Sequence, residues 1–201
     1  MNPADSQTDT SENVRPVSTD LDLFERMRGG DEEAFSSLFR AYYEPLYQFA
    51  GRYTRDAQNA ESLVQDVFVK IWEHREGLRV RSNVKSYLYT AVRNHALNMI
   101  KREGRMSGEE SFDLHEGAER SPEEALIDKE TAEAVRRAVE NLAPQCRQVY
   151  TLKRYDHLSY VEIAEVLNVT VNTVKTQMKR AIKSLKKQLA GWVTSLISRM
   201  V

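Results

Sequence analysis

Lys175, Lys179, Arg180, Lys183, Lys186 and Lys187 fall between residues 170 and 187 with no acid among them. An ordinary solvated helix mixes signs and gains from opposite charges four residues apart. A face of one sign repels itself unless an anion is bound. The chemistry on offer is therefore capture of a polyanion, not the making of bonds. A second set lies upstream, where Arg75, Arg79, Arg81, Lys85, Tyr87, Tyr89, Arg93, Asn94 and Asn98 interleave cations, rings and amides. That mixture suits a single nucleic-acid strand: cations follow phosphates, rings stack on unpaired bases, and amides read base edges. The plain alternative for this set is that Tyr87 packs inside and the arginines are solvated. A third set, Gln65, Asp66, Lys70 and Glu73, makes a polar face that is either solvated or turned to a protein partner.

Recognised catalytic spacings are missing. The chain has no G-x-x-x-x-G-K-[ST] phosphate loop, no G-x-S-x-G elbow and no H-E-x-x-H pair. His74, His95, His115 and His157 are scattered and lack cysteine partners, which excludes a zinc finger. Cys146 is the sole cysteine, so an internal disulfide is excluded and a reducing compartment fits. Glu109/Glu110 and Glu123/Glu124 sit in linker or helix-start contexts where solvation is the default. The expectation is a non-enzyme with no metal and no cofactor.

The cationic segment needs an element to hold it. Ile163, Ala164 and Leu167 space one apolar stripe at helical intervals, and Val171, Val174, Met178, Ala181 and Leu185 space another. Ala164 is small enough to admit a crossing helix. Asn168 stands at the turn, and Asn tolerates the left-handed conformation better than most residues. Thr170 is placed to cap the second helix. This is the pattern of a helix-turn-helix, whose second helix enters the DNA major groove.

The remaining sequence reads as helical throughout. The 201 residues carry a net charge of −1, but the charge is segregated. Residues 1–33 hold nine acids against Arg15, Arg26 and Arg28, and residues 109–133 hold ten against Arg120 and Lys129. The stretches 75–105 and beyond 140 are basic, which points to nucleic-acid contact by part of the chain only. The polar, acidic start is no signal peptide, and no apolar run approaches the roughly 20 residues needed to span a bilayer, so membrane insertion is not expected and a cytoplasmic location is.

The expected architecture is all-α, with two helical domains joined by a flexible acidic linker. Residues 1–19 form a disordered tail. Residues 20–104 hold four helices: a short one capped by Asp20 and ended by Gly29-Gly30, one capped by Asp31 with a kink or restart at Pro45, a third over about 57–74, and a fourth over about 84–103. Residues 105–121 form the linker. A domain over 122–190 begins with a helix started by Pro122, continues through a helix over about 144–155, and ends in the basic hairpin. Residues 191–201 form a tail that extends or packs on the last helix.

The string AESLVQDVFVKIWEHRE, followed by NVKSYLYTAVRNHALNMIKRE, resembles the central region of bacterial sigma factors. LAPQCRQVYTLKRYDHLSYVEIAEVLNVTVNTVKTQMKRAIKSL is similar to their C-terminal region. Two independent motifs in the right order with a short spacer resemble the compact extracytoplasmic-function (ECF) group of the sigma-70 superfamily. The resemblance implies an alternative sigma factor with core RNA polymerase, promoter DNA and an anti-sigma factor as partners. It assigns Gln65, Asp66, Phe68 and Trp72 to polymerase binding. It assigns Arg79, Arg81, Lys85, Tyr87, Arg93, Asn94 and Asn98 to the melted −10 element. Many relatives have Trp where Tyr87 stands. For the −35 duplex it implies Asn172, Thr173, Lys175, Thr176, Gln177, Lys179, Arg180 and Lys183, with Gln177 at a position that often carries Arg in relatives. Gln pairs with adenine where Arg favours guanine. A helix-turn-helix regulator of the response-regulator output type, acting without polymerase, stays open on the last 50 residues alone; the first 100 lack the alternating strands a receiver domain needs.

Overall fold

The computed structural model describes residues 19–54, 56–80, 83–102 and 124–200, with side chains left aside for 124–130 and 192–200. The expected tail, the linker and the Pro122 start therefore lie outside the described residues, apart from Thr19. Among the described residues there are eight α-helices and no strand: α1 Asp20–Arg28, α2 Glu32–Ala50, α3 Ala57–Glu73, α4 Val84–Arg102, α5 Glu124–Glu140, α6 Pro144–Arg154, α7 Tyr160–Leu167 and α8 Val171–Met200. A 3-10 turn, Arg75–Gly77, follows α3.

Local chemistry sets the ends. Thr19, not Asp20, caps α1: its hydroxyl accepts from the Asp22 N–H at 3.2 Å, and Asp20 sits in the first turn. Gly30 takes φ 93°, open to glycine and strained for other residues, and the chain turns there. Asp31 then caps α2 by accepting from the N–H groups of Glu33 and Ala34, each at 3.0 Å. α2 runs unbroken through Pro45, with Leu46, Phe49 and Ala50 buried beyond it. Asp56 caps α3 through the Asn59 N–H at 2.7 Å.

The first four helices close on one core. Phe24 and Met27 of α1, Leu38, Leu46 and Phe49 of α2, Leu63, Val64 and Phe68 of α3, and Leu88, Tyr89 and Val92 of α4 are all buried. The expected division into two helical bundles holds, but the two are not held apart. The core that begins at Phe24 continues through Leu152, Leu158, Ile163, Val166 and Val174. α4 packs on α7, and α6 and α7 pack on α8. A smaller cluster, Ala138, Val139, Leu142, Cys146, Ala181 and Leu185, ties α5 and α6 to α8.

Candidate nucleic-acid interface

The helix-turn-helix is built by short-range chemistry. Ser159 and Glu162 form a reciprocal capping box at the start of α7, with Ser159 N–H donating to the carboxylate at 2.6 Å. Asn168 ends α7 at φ 53° and ψ 49°, and the next N–H, that of Val169, returns to the Ala164 carbonyl at 2.9 Å. Thr170 accepts from the Thr173 N–H at 3.1 Å, as a cap of α8 should. Val174, Met178, Ala181 and Leu185 turn inward. The opposite face carries Asn172, Lys175, Thr176, Lys179, Arg180 and Lys183, all exposed. That face has the length and the cations to lie along a duplex.

Two members of the expected set are placed differently. Thr173 is half-buried, with its hydroxyl 2.9 Å from that of Thr170. Gln177 is held by α6: its amide nitrogen donates to Gln145 at 2.9 Å, and its amide oxygen accepts from the Cys146 thiol at 3.1 Å. Both ends of the group that would read adenine face a neighbouring helix.

On α3, Gln65 and Asp66 are exposed while Phe68 is buried and Trp72 half-buried. Phe68 packs edge-on against Phe35 and Phe39, at 6.1 and 4.9 Å between ring centres. Trp72 lies between Phe35, at 5.0 Å, and the Arg75 guanidinium, at 4.4 Å. What reaches the surface beside Gln65 is Val69, at 52% exposure. Phe35, Ser36, Phe39, Arg40, Gln65, Phe68 and Val69 line an apolar groove of about 510 Å³. Asp66 lies 3.7 Å from His95, whose other ring nitrogen is 3.1 Å from Lys70. Burial and Lys70 hold the His95 imidazole below its usual value, against the pull of Asp66.

The set expected to hold a single strand is split by α4. Arg79 is exposed, Arg93 half-buried, and Arg81 lies outside the described residues. Asn94 and Asn98 are exposed one turn apart. Tyr87 is half-buried, edge-on to Phe24 at 5.7 Å, and burial raises its phenol pKa. Lys85 sits about two and a half turns before Asn94, which at 3.6 residues per turn places it on the opposite side of the helix. There it meets the second domain: its ammonium donates to the Asp156 carbonyl at 2.8 Å.

Around Asp156 the structure brings together residues that no sequence pattern linked. The Arg52 guanidinium grips its carboxylate at 2.5 and 3.0 Å, both side chains being almost fully buried. The Tyr89 hydroxyl lies 3.5 Å away. Burial pushes the Asp156 carboxyl up, against the pull of Arg52. Beside this pair, Asn83 donates to Glu162 at 2.9 Å and the Ser86 hydroxyl donates to Glu165. Arg52 and Asp156 are 104 positions apart, so only the fold could show this contact.

Comparison with known proteins joins the two halves. The sigma-70 region 2 family matches residues 38–106, and the sigma-70, region 4 family matches residues 132–185. Together they span more than half of the chain. The ECF RNA polymerase sigma factor SigW of Bacillus subtilis is 26% identical over 174 residues, covering 82% of this chain and 93% of its own length. The ECF RNA polymerase sigma-E factor of Escherichia coli is 29% identical over 181 residues, covering 85% and 94%. Among solved structures, CnrH in complex with the cytosolic domain of CnrY shares the fold at TM-score 0.60 and 20% identity, over 84% of this chain and 96% of that one. The sigma factor RpoE in complex with the anti-sigma factor NepR from Bartonella quintana does so at 0.58 and 23%, over 78% and 96%. With both regions matched in order on an all-helical fold, and with ECF factors aligned along most of its length, the chain belongs to the ECF group of the sigma-70 family.

Proposed function

We propose that this chain is an alternative sigma factor that brings core RNA polymerase to a subset of promoters, with the first domain gripping the polymerase and the melted −10 strand and α8 reading the −35 duplex. The observation that carries this reading is the pairing of a one-sign exposed helix-turn-helix face with a separate domain matched to sigma-70 region 2. A duplex-binding regulator has no use for that second module. In the polymerase contact, Gln65 and Asp66 supply polar groups, and the groove beside Val69 takes an apolar side chain. Phe68 and Trp72 act from beneath, as the packing that holds the surface in shape. At the promoter, Asn94 and Asn98 face unpaired bases, Arg79, Arg81 and Arg93 follow phosphates, and Tyr87 supports the strand platform from within. On α8, Asn172 and Thr176 lie near the helix start, where base edges are met, and Lys175, Lys179, Arg180 and Lys183 meet phosphate.

RNA synthesis is the polymerase's chemistry, so this chain needs no catalytic residue, metal or cofactor of its own. Its place is the cytoplasm, where the polymerase works; no described helix is long and apolar enough to cross a membrane. The RpoE relative was solved with an anti-sigma factor, and we assign this chain a partner of the same class. The test is co-purification with core polymerase followed by promoter-dependent run-off transcription. A discrete transcript that needs both the chain and the polymerase supports the reading. Duplex binding with no polymerase affinity and no transcript overturns it.

A further inference from the structure

We propose that Arg52, Lys85 and the Tyr89 hydroxyl form a phosphodiester-binding site for the single promoter strand, and that Asp156 of the second domain occupies it as an internal substitute for phosphate. The proposal rests on the sigma-factor reading and adds to it a site, its ligand class and its competitor. A guanidinium presents donors in a fork that fits carboxylate and phosphate alike. Here that fork closes on Asp156 at 2.5 and 3.0 Å, with Arg52 7% exposed and Asp156 7% exposed. The Lys85 ammonium reaches the same residue's carbonyl at 2.8 Å, and the phenol of Tyr89 points at the carboxylate from 3.5 Å. Two cations and a hydroxyl on one domain thus converge on one acid of the other.

The neighbouring contacts repeat the pattern. Glu162 accepts from Asn83 and Glu165 accepts from Ser86, both at the start of α4. Three acids of the second domain therefore lie along the helix that carries the strand-binding residues. The basic face of α8 points elsewhere and stays exposed. The same donors cannot serve Asp156 and a phosphate together, so strand capture requires the domains to part. The apparent affinity of the free chain for a single strand is its intrinsic affinity reduced by the fraction that is open.

The experiment measures binding of the full chain, without polymerase, to a short mixed-sequence single-stranded DNA oligonucleotide and to its duplex by fluorescence anisotropy. A donor–acceptor dye pair across the two domains reports their separation in the same samples. Asp156→Ala and the shape-conserving Asp156→Asn should part the domains and tighten single-strand binding about tenfold or more, with duplex affinity little changed. Adding Arg52→Ala to Asp156→Ala should remove the gain while the domains stay apart. Arg52→Asp with Asp156→Arg should keep the domains together without any gain. The proposal is overturned by parted domains without tighter strand binding, by domains that stay closed in both Asp156 variants, or by a gain that survives Arg52→Ala. Run-off transcription by the unaltered chain is scored separately, so loss of this site leaves the sigma reading standing, and absence of polymerase-dependent initiation removes that reading whatever the oligonucleotide does.

Discussion

Two cationic faces of this chain stand in opposite states. On α8, Lys175, Lys179, Arg180 and Lys183 project from a single helix whose inner face is packed, and nothing described covers them. Just past the end of α2 and at the start of α4, Arg52 and Lys85 are turned into the second domain and meet Asp156. The residue types are the same. What differs is the cover: α8 presents its face by local geometry alone, whereas Arg52 and Lys85 are covered by another domain. Composition can identify cations, but only long-range packing says which are available.

Removing one half of the buried pair should break this contrast most strongly. Arg52→Ala leaves the Asp156 carboxylate buried without its cation, which costs the closed arrangement roughly 3–5 kcal/mol. Small-angle scattering should show an expanded particle with unchanged helix content; an unaltered radius of gyration would mean the pair holds nothing. Next in size is Asp66→Arg, on the exposed face of α3. It should weaken core polymerase binding by about 2 kcal/mol or more, measured by titration of labelled chain, while single-strand and duplex binding stay as they were. Unchanged polymerase affinity would take Asp66 out of the contact.

Smaller effects sharpen the α8 side. Asn168→Ala forces a left-handed residue that costs roughly 1–2 kcal/mol. Thermal unfolding followed by circular dichroism should register that loss, and Asn168→Gly should largely spare it. Lys179→Ala should lower the slope of log affinity against log salt for duplex DNA by about one. Lys85→Ala, in the same duplex assay, should leave the slope alone because Lys85 is engaged by the second domain. If the two variants exchanged these results, the assignment of open and covered faces would be reversed.

Much of this was legible in local sequence. Asp31, Asn168 and Thr170 act within a few residues of themselves, and their roles follow from side-chain chemistry. Sequence alone points to Asp20 as the α1 cap, one position past Thr19, because both are capable residues and only backbone geometry chooses. Phe68 and Trp72 show the limit of periodicity: a 3.6-residue stripe marks a face as apolar without saying whether it meets the core or a partner. In the fold, Phe35 and Phe39 take up Phe68, and Val69, one residue on, reaches the surface. The position of Gln177 on α8 marks it as a base reader, but Gln145 and Cys146 approach it from another helix. Arg52 has no signal at all in the sequence, since its partner lies 104 positions away.

Permanganate probing of a promoter complex, assembled from core polymerase and this chain, tests the central claim most directly. The account predicts that thymines near the −10 element become reactive only when both components are present, and that Asn94→Ala diminishes this reactivity more than it diminishes duplex binding. Thymines that stay unreactive in the complete complex would contradict it.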